Sequence, residues 1–270
     1  MSLTRQINLV SSIAAIGRSL GGLVRLLLIG IMLVCCLLHI ALFYGRANVK
    51  KRQKMVSDWA DRLLYLLNMK VDFQSAVAQE NLSSGLMVCN HISFIDIFVI
   101  NSVLPSPFVA KSNIAAWPFI GWLVARTGTE FIQRGSKTAA HQTQQRITAR
   151  LAAGERFAIF PEGTTSSGAQ VLPFHAALFQ SALDSAAQLH CLSLIYHDAS
   201  GARSEAPAFL GEMTLLRCMF NIAAAGGLTA RLRVLPSEEH PEQNRRQLAH
   251  RAQHRIAAAV ALLNDVSPEP

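Results

Sequence analysis

The longest apolar stretch lies near the start of the chain, where residues 26–43 read LLLIGIMLVCCLLHIALF with His39 as the one strongly polar interruption. Residues 21–24 extend the run, and Arg25 stands where a long cationic side chain can snorkel toward an interface. The stretch is about as long as the shortest helices that cross a bilayer. It predicts one transmembrane or deeply membrane-embedded helix over roughly 20–44. Phe43, Tyr44, Gly45 and Arg46 offer no small-residue cleavage site, which argues against a secretory leader. The alternative is a buried core helix. Just beyond, Trp59, Leu63, Leu66 and Leu67 recur at helical spacing and predict an amphipathic helix over 50–69.

Past residue 70 the pattern changes to alternation. Short apolar runs with strand character fall at 71–73, 86–90, 108–110, 129–132, 156–160, 191–196 and 228–235. Segments of helical period fall at 94–103, 117–126, 136–153, 174–187, 213–224 and 241–264. The expected fold is α/β, a mixed sheet flanked by helices, with the N-terminal membrane helix attached. The expected divisions are an N-terminal region with the anchor at 1–45, a basic connecting helix at 46–70, the main domain at 71–240, and a basic C-terminal helix and tail at 241–270. The closing SPEP, residues 267–270, reads as disordered.

Three motifs punctuate the main domain. Residues 90–96 read NHISFID, which sets His91 and Asp96 five positions apart, where a strand ends and a helix begins. A turn there brings the carboxylate back onto the imidazole. Such an aspartate holds one ring nitrogen as a donor and leaves the other to take a proton from an attacking hydroxyl. The plainer alternative is a capping histidine with a carboxylate that satisfies it. Further on come GTEFIQR, residues 128–134, and FPEGT, residues 160–164, the latter directly after the apolar run RFAIF.

The three motifs in this order and at these intervals resemble the glycerolipid (1-acylglycerol-3-phosphate) acyltransferase family over roughly residues 70–200. The resemblance implies that His91 and Asp96 form a catalytic dyad. It also implies that Arg134, Glu162, Gly163 and Thr164 shape the acceptor and acyl-donor sites. A guanidinium grips phosphate or carboxylate with paired hydrogen bonds, the role expected of Arg134. Glu162 is expected to position the acceptor through its hydroxyls, and backbone amides around Gly163 and Thr164 to face the developing oxyanion. The implied reaction moves a fatty acyl group from acyl-CoA or acyl carrier protein to a lysolipid hydroxyl, with no cofactor beyond the donor. Residues 114–125, IAAWPFIGWLVA, are too short to span a bilayer and suit an interfacial element, an acyl-chain lining or an ordinary buried helix.

Charge fits this setting. Lys and Arg number 25 against 17 Asp and Glu, a formal +8, which suits anionic lipid headgroups and coenzyme A phosphates. With three Trp, three Tyr and no basic patch interleaved with aromatics, nucleic acid is the weaker partner. Arg46, Lys50, Lys51, Arg52 and Lys54 crowd the far side of the apolar run, against Arg5, Arg18 and Arg25 before or within it. By the positive-inside bias the main domain faces the cytoplasm, at the inner membrane. Five cysteines without a CxxC read as reduced thiols, and His141, His175, His190, His197, His240, His250 and His254 show no metal-ligand spacing. No metal is expected.

The resemblance weakens in one place. Where the family often continues FPEGT with arginine and follows a later phenylalanine with lysine, this chain has Thr165 and His175. The segments FPEGTTSSG and VLPF instead resemble the bacterial branch that acylates lyso-ornithine lipid, whose headgroup carries no phosphate. Lysophosphatidic acid is the rival acceptor.

Overall fold

The computed structural model describes residues 3–133, 136–237 and 244–265. Arg134, the start of the expected 241–264 helix and the SPEP tail lie outside the described residues.

The apolar run belongs to one long helix, α1, Leu3–Phe43. Together with the 3-10 turn Tyr44–Arg46 that follows, it provides a stretch, Leu20–Arg46, long and apolar enough to cross a membrane. One face of that stretch is nevertheless covered by protein. Helix α2, Val49–Leu66, starts at the Asn48 cap, whose side chain accepts from the Lys51 amide. It packs Met55 and Trp59 against Cys36, Ile40 and Tyr44 of the preceding segment. Higher up α1, Ile29 joins the main core with Leu63, Leu64 and Leu67. The Trp59 indole donates to His39 Nδ1 at 3.2 Å, which explains the lone polar residue in the apolar run. Arg25 does not reach for an interface. Its Nη1 donates to the carbonyl of Ala223 at 2.7 Å, near the end of helix α8, Leu215–Ala224, where carbonyls lack intrahelical partners.

The remaining strands are β1, Met69–Ser75; β2, Gly85–Cys89; β3, Val109–Lys111; β4, Glu130–Ile132; β5, Arg156–Ile159; β6, Leu189–Asp198; and β7, Leu228–Val234. Five of them form a mixed sheet in the order β1-β7-β6-β2-β5, with β6 and β7 antiparallel and the other neighbours parallel. Strands β3 and β4 form a parallel pair beside it, joined through a bridge from Phe108 to Ala158. Central β2 is buried throughout, as expected of a strand covered on both faces, whereas β7 alternates buried and half-buried positions.

Two cores result. On one face α1, α2, α8 and α3, Asp96–Val103, enclose Leu67, Ile95, Val99, Leu194 and Ile222. On the other, α6, Lys137–Ala152, and α9, Arg245–Asp265, bury Ile147, Phe157, Leu248 and Ile256. Between β3 and β4 run the short helices α4, Ser112–Ala115, and α5, Ile120–Arg126.

Two expected helices differ. The segment at 117–126 becomes helical only from Ile120, because Pro118 and Phe119, the latter at φ +63°, make a turn first. The expected helix at 174–187 is reduced to a 3-10 turn, Ala177–Phe179, and helix α7, Gln180–Ser185. Residues 171–176 stay irregular because their backbone is bound elsewhere: Glu162 accepts from the Leu172 amide, and the His175 amide donates to Pro161.

Candidate active site

Strands β2 and β5 run parallel, pairing Val88 with Ile159, so the chain beyond each leaves the sheet at the same edge. That juxtaposition brings NHISFID beside FPEGT. Asn90 prepares the exit. Its buried side chain donates to Leu194 O at 2.9 Å and accepts from Leu194 N at 2.8 Å, acting as one more rung between β2 and β6. The backbone of His91 is thereby released from the sheet and is held by the second motif instead. Its amide donates to Glu162 Oε1 at 2.7 Å, and its carbonyl accepts from the Ser166 amide at 2.8 Å.

Residues 91–95 make a tight turn into α3, and Asp96 is the first residue of that helix. Its carboxylate reaches backward. Oδ2 accepts from the amides of Ile92 at 2.7 Å and Ser93 at 2.9 Å, and lies 2.9 Å from His91 Nδ1. Three donors on one oxygen, together with the helix N-terminus, compensate a carboxylate that has no exposure to water. An acceptor at this distance makes Nδ1–H the donor tautomer and leaves Nε2 as the unprotonated, accepting nitrogen. The ring is stacked on Phe160, with centroids 4.0 Å apart and planes 9° apart, and Phe160 in turn stacks on Phe108. The side chain keeps 18% exposure, so the dyad meets solvent only through the imidazole.

Tyr196 completes the constellation. From the far end of buried β6 its hydroxyl donates to Asp96 Oδ1 at 2.6 Å. Burial and the neighbouring Asp96 charge push its pKa well above the usual phenol value, so it remains a donor. Nothing in the sequence pattern singles it out beyond a tyrosine ending an otherwise apolar strand.

Glu162, expected to position the acceptor, has both carboxylate oxygens on backbone amides. It is buried, with Oε1 on the His91 amide and Oε2 on the Leu172 amide at 3.0 Å, so both oxygens brace backbone. Burial raises its pKa to about 7, opposed by those two hydrogen bonds and reinforced by Asp96. Gly163 adopts φ +67°, and a Cβ there would lie 3.0 Å from the His175 ring, so the bend and the close approach both call for glycine. Its amide closes a turn onto Phe160 O at 3.1 Å, which leaves Thr164, exposed at the next position, as the nearer source of a free amide. Thr165 donates its hydroxyl to Phe209 O. Arg203 contacts this loop, bonded to Ser167 O at 3.1 Å and to Glu205 at 2.8 Å. Lys111 and Ile132 end the parallel β3–β4 pair.

Cys89 and Cys218 are unsuited to nucleophilic work. Burial pushes Cys218 up to about 11 and Cys89 well above the ordinary thiol value.

A family model described as Acyltransferase matches residues 70–196, which contain every residue of this constellation. The chain is 35% identical over 185 residues to the 1-acyl-sn-glycerol-3-phosphate acyltransferase of Neisseria meningitidis, covering 68% of this chain and 72% of that one. The chain belongs to the acyltransferase family. This acyltransferase is also 30% identical to the lyso-ornithine lipid O-acyltransferase of Pseudomonas aeruginosa over 80% of its own length and 81% of the relative's. Its fold matches the crystal structure of the 1-acyl-sn-glycerophosphate acyltransferase PlsC from Thermotoga maritima with a TM-score of 0.64 at 18% identity, covering 92% of this chain and 100% of that one.

Proposed function

We propose that this acyltransferase transfers a fatty acyl group from acyl-CoA or acyl carrier protein to the hydroxyl of a lysolipid, with His91 as general base and Asp96 as its orienting partner. The observation that carries this reading is the 2.9 Å contact between His91 Nδ1 and Asp96 Oδ2, with the opposite ring nitrogen left to work. The lysolipid hydroxyl gives its proton to Nε2 as its oxygen adds to the thioester carbonyl carbon. The backbone amide of Thr164 is the donor we assign to the oxyanion, because the Gly163 amide is already bonded to Phe160 O. When the C–S bond breaks, the imidazolium returns the proton to the departing sulfur, so the products are an ester and a thiol.

For the acceptor we favour a lysolipid without a phosphomonoester, such as lyso-ornithine lipid. A dianionic phosphate near a membrane needs several charge-assisted donors. Thr165 and His175 occupy two positions where the family often has cations, and Arg203 is already paired with Glu205. Arg134 remains the residue we assign to gripping a headgroup carboxylate. The similarity to 1-acyl-sn-glycerol-3-phosphate acyltransferases supports lysophosphatidic acid as the second reading. Purified enzyme in detergent, with a labelled acyl donor and a panel of lysolipids, tests both. Ester formation with none of them would overturn the function.

We assign the enzyme to the cytoplasmic face of the inner membrane, with α1 embedded from one side rather than crossing. Helix α2 lies against α1 and carries Arg52, Lys54, Asp58 and Arg62. A crossing α1 would draw those charges toward hydrocarbon, at about 2.5–3.5 kcal/mol for each at the centre. Resistance to high salt and release by detergent are expected. Protease digestion of the domain from outside intact cells would refute the orientation.

A further inference from the structure

The segment joining β3 to β4 presents a second apolar surface. Trp117, Phe119 and Trp122 are 42%, 71% and 38% exposed, three large aromatics within six positions. Single apolar residues on a surface need no explanation, but a cluster of this kind does. The backbone turns these rings outward under constraint. Phe119 takes φ +63° and ψ −45°, a conformation costly for a bulky residue, directly before α5. Gly121 is packed so closely from within that a Cβ would stand 2.2 Å from Ala115 O.

Charge and position point to one occupant. Lys111 and Arg126 bracket the segment, with no acidic residue between them, and the Arg126 guanidinium lies 5.2 Å from the centre of the Trp122 ring. Aromatic rings with flanking cations are the side chains that settle at the headgroup level of an anionic bilayer. Leu123 of α5 packs on the cluster that α1 and α2 form around Cys36, Ile40 and Trp59. The aromatic segment therefore adjoins the end of α1, where Leu42 and Phe43 are exposed.

We propose that Trp117, Phe119 and Trp122 form a second membrane-inserting contact, continuous with the exposed face of α1. Trp117 and Trp122 sit at headgroup level and Phe119 penetrates deepest. The proposal rests on the membrane reading of α1 and extends it to the mouth of the site, because β3 enters this segment beside β5 and the FPEGT loop.

The test uses the full chain with vesicles of phosphatidylethanolamine and phosphatidylglycerol carrying brominated acyl chains, which quench tryptophan on contact. Wild type is compared with a Trp117→Phe, Trp122→Phe double variant, so that the buried Trp59 stays in place. A third protein adds Ile31→Trp on the exposed face of α1 to that double variant. The expected result is quenching of wild type about twofold or more beyond that of the double variant. A Trp117→Ser, Phe119→Ser, Trp122→Ser variant with unchanged circular dichroism should partition onto the vesicles about tenfold more weakly. Equal quenching of wild type and the double variant, with strong quenching of Ile31→Trp, would overturn the proposal alone. It would then assign the patch to a protein partner, a second copy or a bound acyl chain. Failure to quench Ile31→Trp would instead overturn the membrane reading of α1.

Discussion

The hydroxyl of Tyr196 donates to Oδ1 of Asp96 at 2.6 Å, while the turn amides and the His91 ring all meet Oδ2. The two carboxylate oxygens thus have separate partners from opposite sides. Rotation of the carboxylate would break both sets, so the tyrosine fixes the plane against which the imidazole is aligned.

Tyr196→Phe should keep the fold, with a loss of about 1–3 kcal/mol for leaving a buried acceptor without its donor. Turnover should fall while KM for the acceptor changes little. A carboxylate free to rotate no longer holds the imidazole in one orientation, so the loss should appear in kcat rather than in KM. An unchanged kcat would mean that Tyr196 acts through packing alone.

His91→Ala should lower turnover by about 10²-fold or more, the usual scale for loss of a general base. Asp96→Asn should also inactivate, because an amide can present its NH₂ group to Nδ1 and favour the wrong tautomer. Steady-state rates with one acyl donor and one lysolipid decide this. Wild-type turnover by the His91→Ala protein would remove the mechanism.

Glu162 makes a pH-dependent contribution whose sign follows from burial. Its folded pKa, about 7, lies above the ordinary carboxylate value of 4.5. The folded state therefore holds the proton more tightly than the unfolded chain between those values. This group's contribution is fully present below about pH 4.5, lost as pH rises toward 7, and constant above. The span is on the order of 3 kcal/mol. The Glu162→Gln protein should lack that slope, so the stability of wild type relative to the variant, measured by urea unfolding, should fall between about pH 4.5 and 7. Parallel curves for the two proteins would refute the assignment.

Thr165→Arg tests the acceptor. The substitution gives up the hydroxyl contact with Phe209 and places a cation where phosphate-using relatives often have one. The ratio of kcat/KM for lysophosphatidic acid to that for lyso-ornithine lipid should rise about tenfold, the effect of one charge-assisted hydrogen bond. A wild-type enzyme that already prefers lysophosphatidic acid would contradict the proposed acceptor.

Local patterns announced much of this molecule. The expected strands at 86–90, 156–160 and 191–196 overlap β2, β5 and β6, because runs buried on both faces have little competing signal. His91 and Asp96 were legible as a pair because five positions suffice for one turn to close. Tyr196 was not, since its partner lies 100 residues away and only the parallel pairing of β6 with β2 brings them together. The Glu162 contacts were hidden for the same reason: a loop glutamate reads as exposed until the His91 and Leu172 amides are placed around it. The helix expected at 174–187 failed because the backbone groups of Leu172 and His175 serve the neighbouring loop.

Ile29 shares a core with Leu64 and Leu67, so α1 is a wall of the catalytic body as well as the segment we propose to meet lipid. A shortened chain beginning after Gly45 would not yield a soluble version of the enzyme. It would uncover the inner faces of α2 and α8 together, replace one exposed apolar surface with another, and leave Trp59 without the histidine that accepts its hydrogen bond.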